Sequence, residues 1–277
     1  QEYSELLVYR LSEYSQVKDR NFNVLLIDDS SLNAFAAPGG VIGINGGLFL
    51  NAQNEGQFAS VITHELAHLS QRHFARNILN SQDNNIASVL VMVSAMAAAI
   101  ATNNPTAFMA GPAFLQQQSL RYSRLFEREA DRVGFNNLIN ADYDPSSMGE
   151  MFEQMAKLRR LAGDKIPEFL LTHPISSSRV ADAFNAADQV ETPLKNKDSL
   201  NYQFIRGRLQ IRYENIPLNS VRKMEGLVEK NPSNENRYAL ALAYKTNAQH
   251  KNALTKINSL IAENPKNLIL HNTKAEI

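Results

Sequence analysis

His64-Glu65-Leu66-Ala67-His68 sets two imidazoles four residues apart with a carboxylate beside the first. On a helix that spacing puts both histidines on one face, one turn apart, so both can reach a single metal ion while the backbone between them stays regular. Glu65 falls one step around the helix, beside the ion rather than on it, where a general base would stand. The preceding run Phe58-Ala59-Ser60-Val61-Ile62-Thr63 carries apolar residues at helical spacing, which supplies the helix. The ordinary alternative is two surface histidines that match a short pattern by chance.

A second pair of groups strengthens the metal reading. Glu127 and Asp131 are four residues apart within the helix-like stretch Gln116 to Asn136, so they too share a face. Glu127 as a third ligand would complete two histidines and one carboxylate and leave the fourth position open for water. That is the layout of a catalytic zinc site, and the chain has no cysteine with which to build a closed one. Asp131 suits the outer shell, accepting the second ring N–H of a ligating histidine and fixing its tautomer. Without His64 and His68 the same segment would read as a charged helix face interleaved with Arg128 and Arg132.

The combination HExxH with a later ExxxD resembles the HtpX-like zinc metallopeptidases. The likeness extends to Leu32-Asn33-Ala34-Phe35-Ala36 with Pro38-Gly39-Gly40 before the metal helix, and to Leu171-Thr172-His173-Pro174 with Ser178-Arg179 after it. Within the family it is closest in type to periplasmic members that carry C-terminal tetratricopeptide repeats. The resemblance implies one zinc per chain held by His64, His68 and Glu127, with Glu65 as the base and peptide-bond hydrolysis as the reaction. It implies that His173 can take the fourth zinc position and hold the enzyme latent; alone, a histidine before a proline reads as structural. Arg179, placed after the His-Pro motif, is a candidate second oxyanion donor, with a packing salt bridge as its alternative. The implied substrates are unfolded or stalled outer-membrane β-barrel proteins, the implied partners their assembly machinery, reached through the repeats, and the implied location the periplasm. The rival class is a non-enzymatic assembly scaffold with a vestigial zinc site; a base at Glu65 argues against it.

Composition bounds these readings. Lys plus Arg and Asp plus Glu are both 28 in 277 residues, so the net charge points to neither nucleic acid nor an anionic surface. The absence of cysteine removes disulfides and thiol catalysis together. The opening Gln1-Glu2-Tyr3-Ser4-Glu5 is not a signal sequence, so periplasmic placement rests on the resemblance alone.

The elements that must position the chemistry follow from periodicity. Residues 1–20 read as an amphipathic helix through Leu6, Leu7, Leu11 and Tyr14, and Phe22 to Ile27 as a strand. Asn33 to Ala36 and Val41 to Ile44 flank the turn signal Pro38-Gly39-Gly40 and read as short paired strands. A sheet edge beside the metal helix would let an extended peptide add as a further strand; a hairpin that merely packs on the helix is the alternative. Ile86 to Ala101 is an apolar run broken by two serines and too short to span a bilayer. It reads as a buried helix, with a cleft cover or a peripheral membrane contact through 86–101 as rival readings. His73, five residues after His68, points well away from it on a continuous helix.

The expected fold is mainly α with a small sheet (α+β): a zincin-type peptidase domain over 1–190, a linker over 191–200, and a tetratricopeptide-like α-solenoid over 201–277. The repeat reading rests on Asn231-Pro232 and Asn264-Pro265, 33 residues apart, with Leu240, Ala241, Tyr244 and Ala253 at the repeat's apolar and small positions. Stacked repeats bury their faces on neighbours, so the array is expected to continue past residue 277.

Overall fold

The computed structural model describes residues 1–80, 94, 98, 102, 123–163, 165–191 and 198–277. It divides into two compact units, Gln1–Lys197 and Asp198–Ile277. The expectations for residues 86–101 lie outside the described residues, apart from 94 and 98. None of the described helices is long and apolar enough to cross a membrane.

The first unit opens with helix α1 (Glu2–Glu13) and a sheet of β1 (Asn23–Ile27), β2 (Ala34–Ala37) and β3 (Val41–Asn45). Helix α1 stops earlier than the apolar spacing suggested. Ser12 and Ser15 hydroxyls donate to the carbonyls of Tyr9 and Ser12, drawing the last turn away from further helix. Leu7 and Leu11 are buried as expected, whereas Leu6 faces outward at 64% exposure. The strand order is β1-β3-β2: β3 runs parallel to β1 and antiparallel to β2. The β2–β3 pairing was expected from the Pro38-Gly39-Gly40 turn, which places Gly39 and Gly40 at φ +83° and +75°. The parallel β1–β3 pairing was not. With neighbours on both edges, β3 is buried along its whole length and reads as a continuous Val-Ile-Gly-Ile run. Among the described strands, β2 forms one edge of the sheet.

Helix α2 (Gly46–Asn51) turns the chain into α3 (Glu55–Ser70), which carries the HExxH residues. Asn54 caps α3 by accepting from the Gln57 N–H at 2.8 Å. Every residue of α3 from Glu55 to His68 is buried, so this helix is the axis of the unit. After α4 (His73–Asn80), the described chain resumes in α5 (Arg124–Asn140), α6 (Ser146–Leu161), α7 (Glu168–Thr172) and α8 (Ser177–Asp188). Ser123 and Ser176 cap α5 and α8 with their side-chain oxygens.

The approach of α5 to α3 is set by Gly134. A Cβ built there would stand 3.0 Å from both the N and Cα of His64. Those are backbone atoms of a fully buried helix and cannot swing aside, so only glycine lets the two helices lie this close.

The second unit is a run of antiparallel-type helices with repeat-like packing: α9 (Leu200–Arg212), α10 (Pro217–Lys230), α11 (Asn234–Thr246), α12 (His250–Glu263) and α13 (Leu268–Glu276). Leu240, Ala241, Tyr244 and Ala253 all lie in its core. Arg208 of α9 reaches Tyr238 Oη of α11 at 3.0 Å and Thr273 Oγ1 of α13 at 2.7 Å, tying alternate helices together.

Two glycine substitutions should separate helix propensity from close approach. Gly226→Ala, whose Cβ would meet nothing within 4 Å, should stabilise its helix by about 1 kcal/mol. Gly134→Leu should cost at least the ~1–3 kcal/mol of an overpacked core and also lower bound zinc, because it displaces Glu127 from His64 and His68. Urea melts of both variants, with metal analysis of the second, check this.

Candidate metal centre

His64 and His68 project from one face of α3, Glu127 from the first turn of α5, and His173 from the end of α7. The ligating atoms of these four side chains all lie within 4.8 Å of one another, and all four residues are buried. His68 Nε2 is 3.0 Å from His64 Nε2, and His64 Nε2 is 3.3 Å from His173 Nδ1. Glu127 Oε1 is 3.0 Å from His173 Nδ1 and 3.4 Å from His68 Nε2.

These separations test whether zinc fits. Tetrahedral zinc with ligand distances of about 2.0–2.1 Å requires its ligands to stand roughly 3.3–3.4 Å apart. Four of the six separations, at 3.0 to 3.4 Å, are near that value, and all six lie within 4.8 Å. The donor set of imidazoles and a carboxylate also suits zinc. The compact cluster fits a single zinc ion.

Outside this ring, each ligand is held by a partner. His64 Nδ1 faces Asp131 Oδ1 at 3.1 Å. Arg179 grips both oxygens of Asp131 through Nε at 2.7 Å and Nη2 at 2.6 Å, and its Nη1 lies 2.8 Å from Glu127 Oε2 and donates to the Pro174 carbonyl. Arg179 thus faces the carboxylates that frame the cluster and the backbone that carries His173. His173 ends α7: its N–H donates to Phe169 O at 2.8 Å, and its ring stacks on Phe169 at 4.7 Å. Pro174 follows and prevents the helix from continuing.

The electrostatics follow from burial and pairing. Burial pushes the Glu65 carboxyl above its ordinary value, against the pull of His173 and His64. Burial likewise opposes ionisation of Glu127, but His173 and His68 outweigh it and hold the carboxyl well below the usual range. Asp131 is lowered in the same way, its burial offset by His64 and Arg179. Burial holds the His68 imidazole well below its ordinary value, hence neutral and able to ligate. His173 goes the other way: Glu127 and Glu65 overcome its desolvation and raise it.

Glu65 stands beside the cluster with Oε1 buried and without a hydrogen-bond partner, 3.5 Å from His173 Nε2. The Ala36 backbone also bonds its carboxylate, which links the base to β2. All seven residues singled out in the sequence converge here: His64, Glu65, His68, Glu127, Asp131, His173 and Arg179.

One expectation is overturned. His73 does not point away from His68: its Nδ1 is 2.9 Å from His68 Nδ1. The reading assumed one continuous helix, but α3 ends at Ser70, and Arg72 takes φ 54° before α4 starts at His73. The left-handed residue swings His73 back beneath His68. Glycine or asparagine usually marks such a turn, and an arginine gives no signal of it.

The profile of peptidase family M48 matches residues 1–187. The putative beta-barrel assembly-enhancing protease of Vibrio cholerae is 34% identical over 277 aligned residues, covering 96% of this chain and 56% of that protein. The beta-barrel assembly-enhancing protease of Escherichia coli K12 is 33% identical over 212 residues, or 75% of this chain and 42% of that protein. The mitochondrial metalloendopeptidase OMA1 of Arabidopsis thaliana is 30% identical over 165 residues, or 60% of this chain and 31% of that protein. The chain thus spans about half the length of the first two relatives and less of the third. With the family profile covering the unit that holds the cluster, and the cluster itself suited to zinc, the chain belongs to peptidase family M48.

Proposed function

We propose that this protein is a periplasmic zinc endopeptidase that degrades stalled or misassembled outer-membrane β-barrel proteins and is held latent by His173. The carrying observation is the place of that imidazole: Nδ1 within 3.3 Å of His64 Nε2 and 3.0 Å of Glu127 Oε1, Nε2 at 3.5 Å from Glu65 Oε1. It fills the space between base and cluster, where water and a scissile carbonyl would have to stand.

His64, His68 and Glu127 are the ligands that remain in the active state. Zinc bound there supplies Lewis-acid polarisation of the scissile carbonyl and of the attacking water. Glu65 Oε1 takes the proton from that water and passes it to the departing amine; burial raises its pKa, which favours the proton-holding form between the two transfers. Asp131 and Arg179 act through the ligands, one orienting His64 and the other fixing Glu127 and Asp131. The substrate would extend along the β2 edge, the strand whose Ala36 backbone bonds Glu65. For His173 to leave, the turn from Thr172 to Ser176 must shift while Arg179 lets go of the Pro174 carbonyl.

The client class comes from the relatives named for β-barrel assembly, and the location from the same likeness. The helices of the second unit would be tetratricopeptide-like repeats that recruit clients and the assembly machinery. One observation favours a second reading, a non-enzymatic scaffold: four protein ligands close a site in the manner of structural zinc. The buried Glu65 carboxylate, whose Oε1 makes no hydrogen bond, speaks against it, since a structural site gains nothing from a desolvated carboxylate there.

Purified protein should carry one zinc per chain, lost on His64→Ala, His68→Ala or Glu127→Ala. Glu65→Gln should retain zinc and lose peptide cleavage by several orders of magnitude, measured by metal analysis beside a peptide assay. Full activity in Glu65→Gln would remove the mechanism. His173→Ala should keep the metal and raise cleavage of an unfolded substrate at least several-fold; a fall would make His173 catalytic.

Removal of residues 198–277 should leave zinc content and short-peptide hydrolysis near wild type while abolishing capture of outer-membrane assembly proteins. Capture that survives the truncation would place recruitment on the first unit.

A further inference from the structure

The cluster has a second layer on the side opposite Asp131. His73 is completely buried. Its Nδ1 lies 2.9 Å from His68 Nδ1 and its Nε2 lies 3.0 Å from Glu129 Oε2. Arg76 Nη1 donates to the same Glu129 oxygen at 2.8 Å. The His73 ring stacks on Phe126 at 4.6 Å with an interplanar angle of 12°, and the Arg76 guanidinium lies 4.5 Å from the Phe126 ring centre. The approach depends on Arg72 at φ 54°, a conformation costly for a residue with a side chain.

The bonding leaves one arrangement of protons compatible with metal binding. Ionised Glu129 can only accept, so His73 Nε2 carries a proton. If His73 Nδ1 carried one as well, His68 Nδ1 would have to accept, and His68 Nε2 would hold the remaining proton and could not ligate. Ligation by His68 Nε2 therefore requires that His68 Nδ1–H donate to an unprotonated His73 Nδ1. We infer that His73, oriented by Glu129 and Arg76, is a positioning residue that fixes the tautomer and ring plane of His68 and thereby sets zinc affinity. His64 has a carboxylate, Asp131, in the corresponding place; His68 is served by a second imidazole with the carboxylate one step further out. Carboxylates behind metal-bound histidines commonly do this, and their loss typically costs about 10–100-fold in metal affinity.

The inference rests on His68 being a zinc ligand, and the experiment separates the two claims. Zinc dissociation constants are measured by chelator competition on the whole chain for wild type, His68→Ala, His73→Phe, His73→Asn and Glu129→Ala. Phenylalanine keeps the stacking on Phe126 but offers no acceptor, so His73→Phe should weaken zinc binding by about 10–100-fold. Asparagine places an acceptor oxygen near the former Nδ1, so His73→Asn should recover part of that loss. Glu129→Ala removes only a partly exposed side chain, and should weaken zinc binding while folding is preserved; it decides the matter if His73→Phe does not fold. In the zinc-loaded wild type, proton NMR should show a downfield, slowly exchanging His68 ring Nδ1–H resonance that is lost in His73→Phe. Wild-type affinity in both His73→Phe and Glu129→Ala, with zinc lost in His68→Ala, would overturn the relay and leave the zinc site standing. Retention of zinc by His68→Ala would overturn both.

Discussion

Three imidazole nitrogens and a carboxylate oxygen meet in a buried cluster, four of their separations lying at 3.0 to 3.4 Å. Lone pairs at that separation repel one another unless a proton or a cation stands between them, and burial removes the water that would screen them. Much of the first unit serves this requirement. The fully buried α3 supplies two ligands at a fixed spacing. Gly134 lets α5 lie against the backbone of His64, which brings Glu127 to them. Arg179 supplies a permanent positive charge to the carboxylates without entering the ring of ligands. A single divalent ion resolves the repulsion at once, so metal binding and local folding are linked at this centre.

The outer partners divide the labour in a way that distinguishes the two faces of the cluster. On one face, Asp131 and Arg179 join α5 to α8 and to the Pro174 carbonyl, so the groups that orient His64 and Glu127 also touch the segment bearing His173. On the other, His73, Glu129 and Arg76 join α4 to α5 behind His68. The Arg179 side is thus the one bonded to the backbone beside His173, through the Pro174 carbonyl.

Much of this was legible in the residues. The spacing of His64, Glu65 and His68 dictates their common placement on a helix, and the four-residue step from Glu127 to Asp131 does the same on α5. His173 was legible only through the family likeness, since a histidine before a proline has no local signature of ligation. His73 was misread because nothing in Gln71-Arg72 announces a left-handed turn, and a helical wheel fails once the helix ends. Asp131, which Arg179 grips, lies 48 residues away in sequence, and the pairing is set by how α8 packs on α5, which periodicity does not report. The parallel pairing of β1 with β3 was hidden for the same reason: local patterns identify strands, whereas their neighbours follow from tertiary packing. The tail's helical repeat was visible in Asn231-Pro232 and Asn264-Pro265, 33 residues apart, and the apolar and small positions counted from them, Leu240, Ala241, Tyr244 and Ala253, lie in the core.

His173 is proposed to complete the zinc coordination in the resting protein. Anomalous diffraction at the zinc edge, on crystals of the untreated protein, decides this. One peak is expected, equidistant from His64 Nε2, His68 Nε2, Glu127 and the His173 ring, at about 2.0–2.2 Å from each. A zinc ion bound by the first three residues and a water, with the His173 ring turned away, would contradict it.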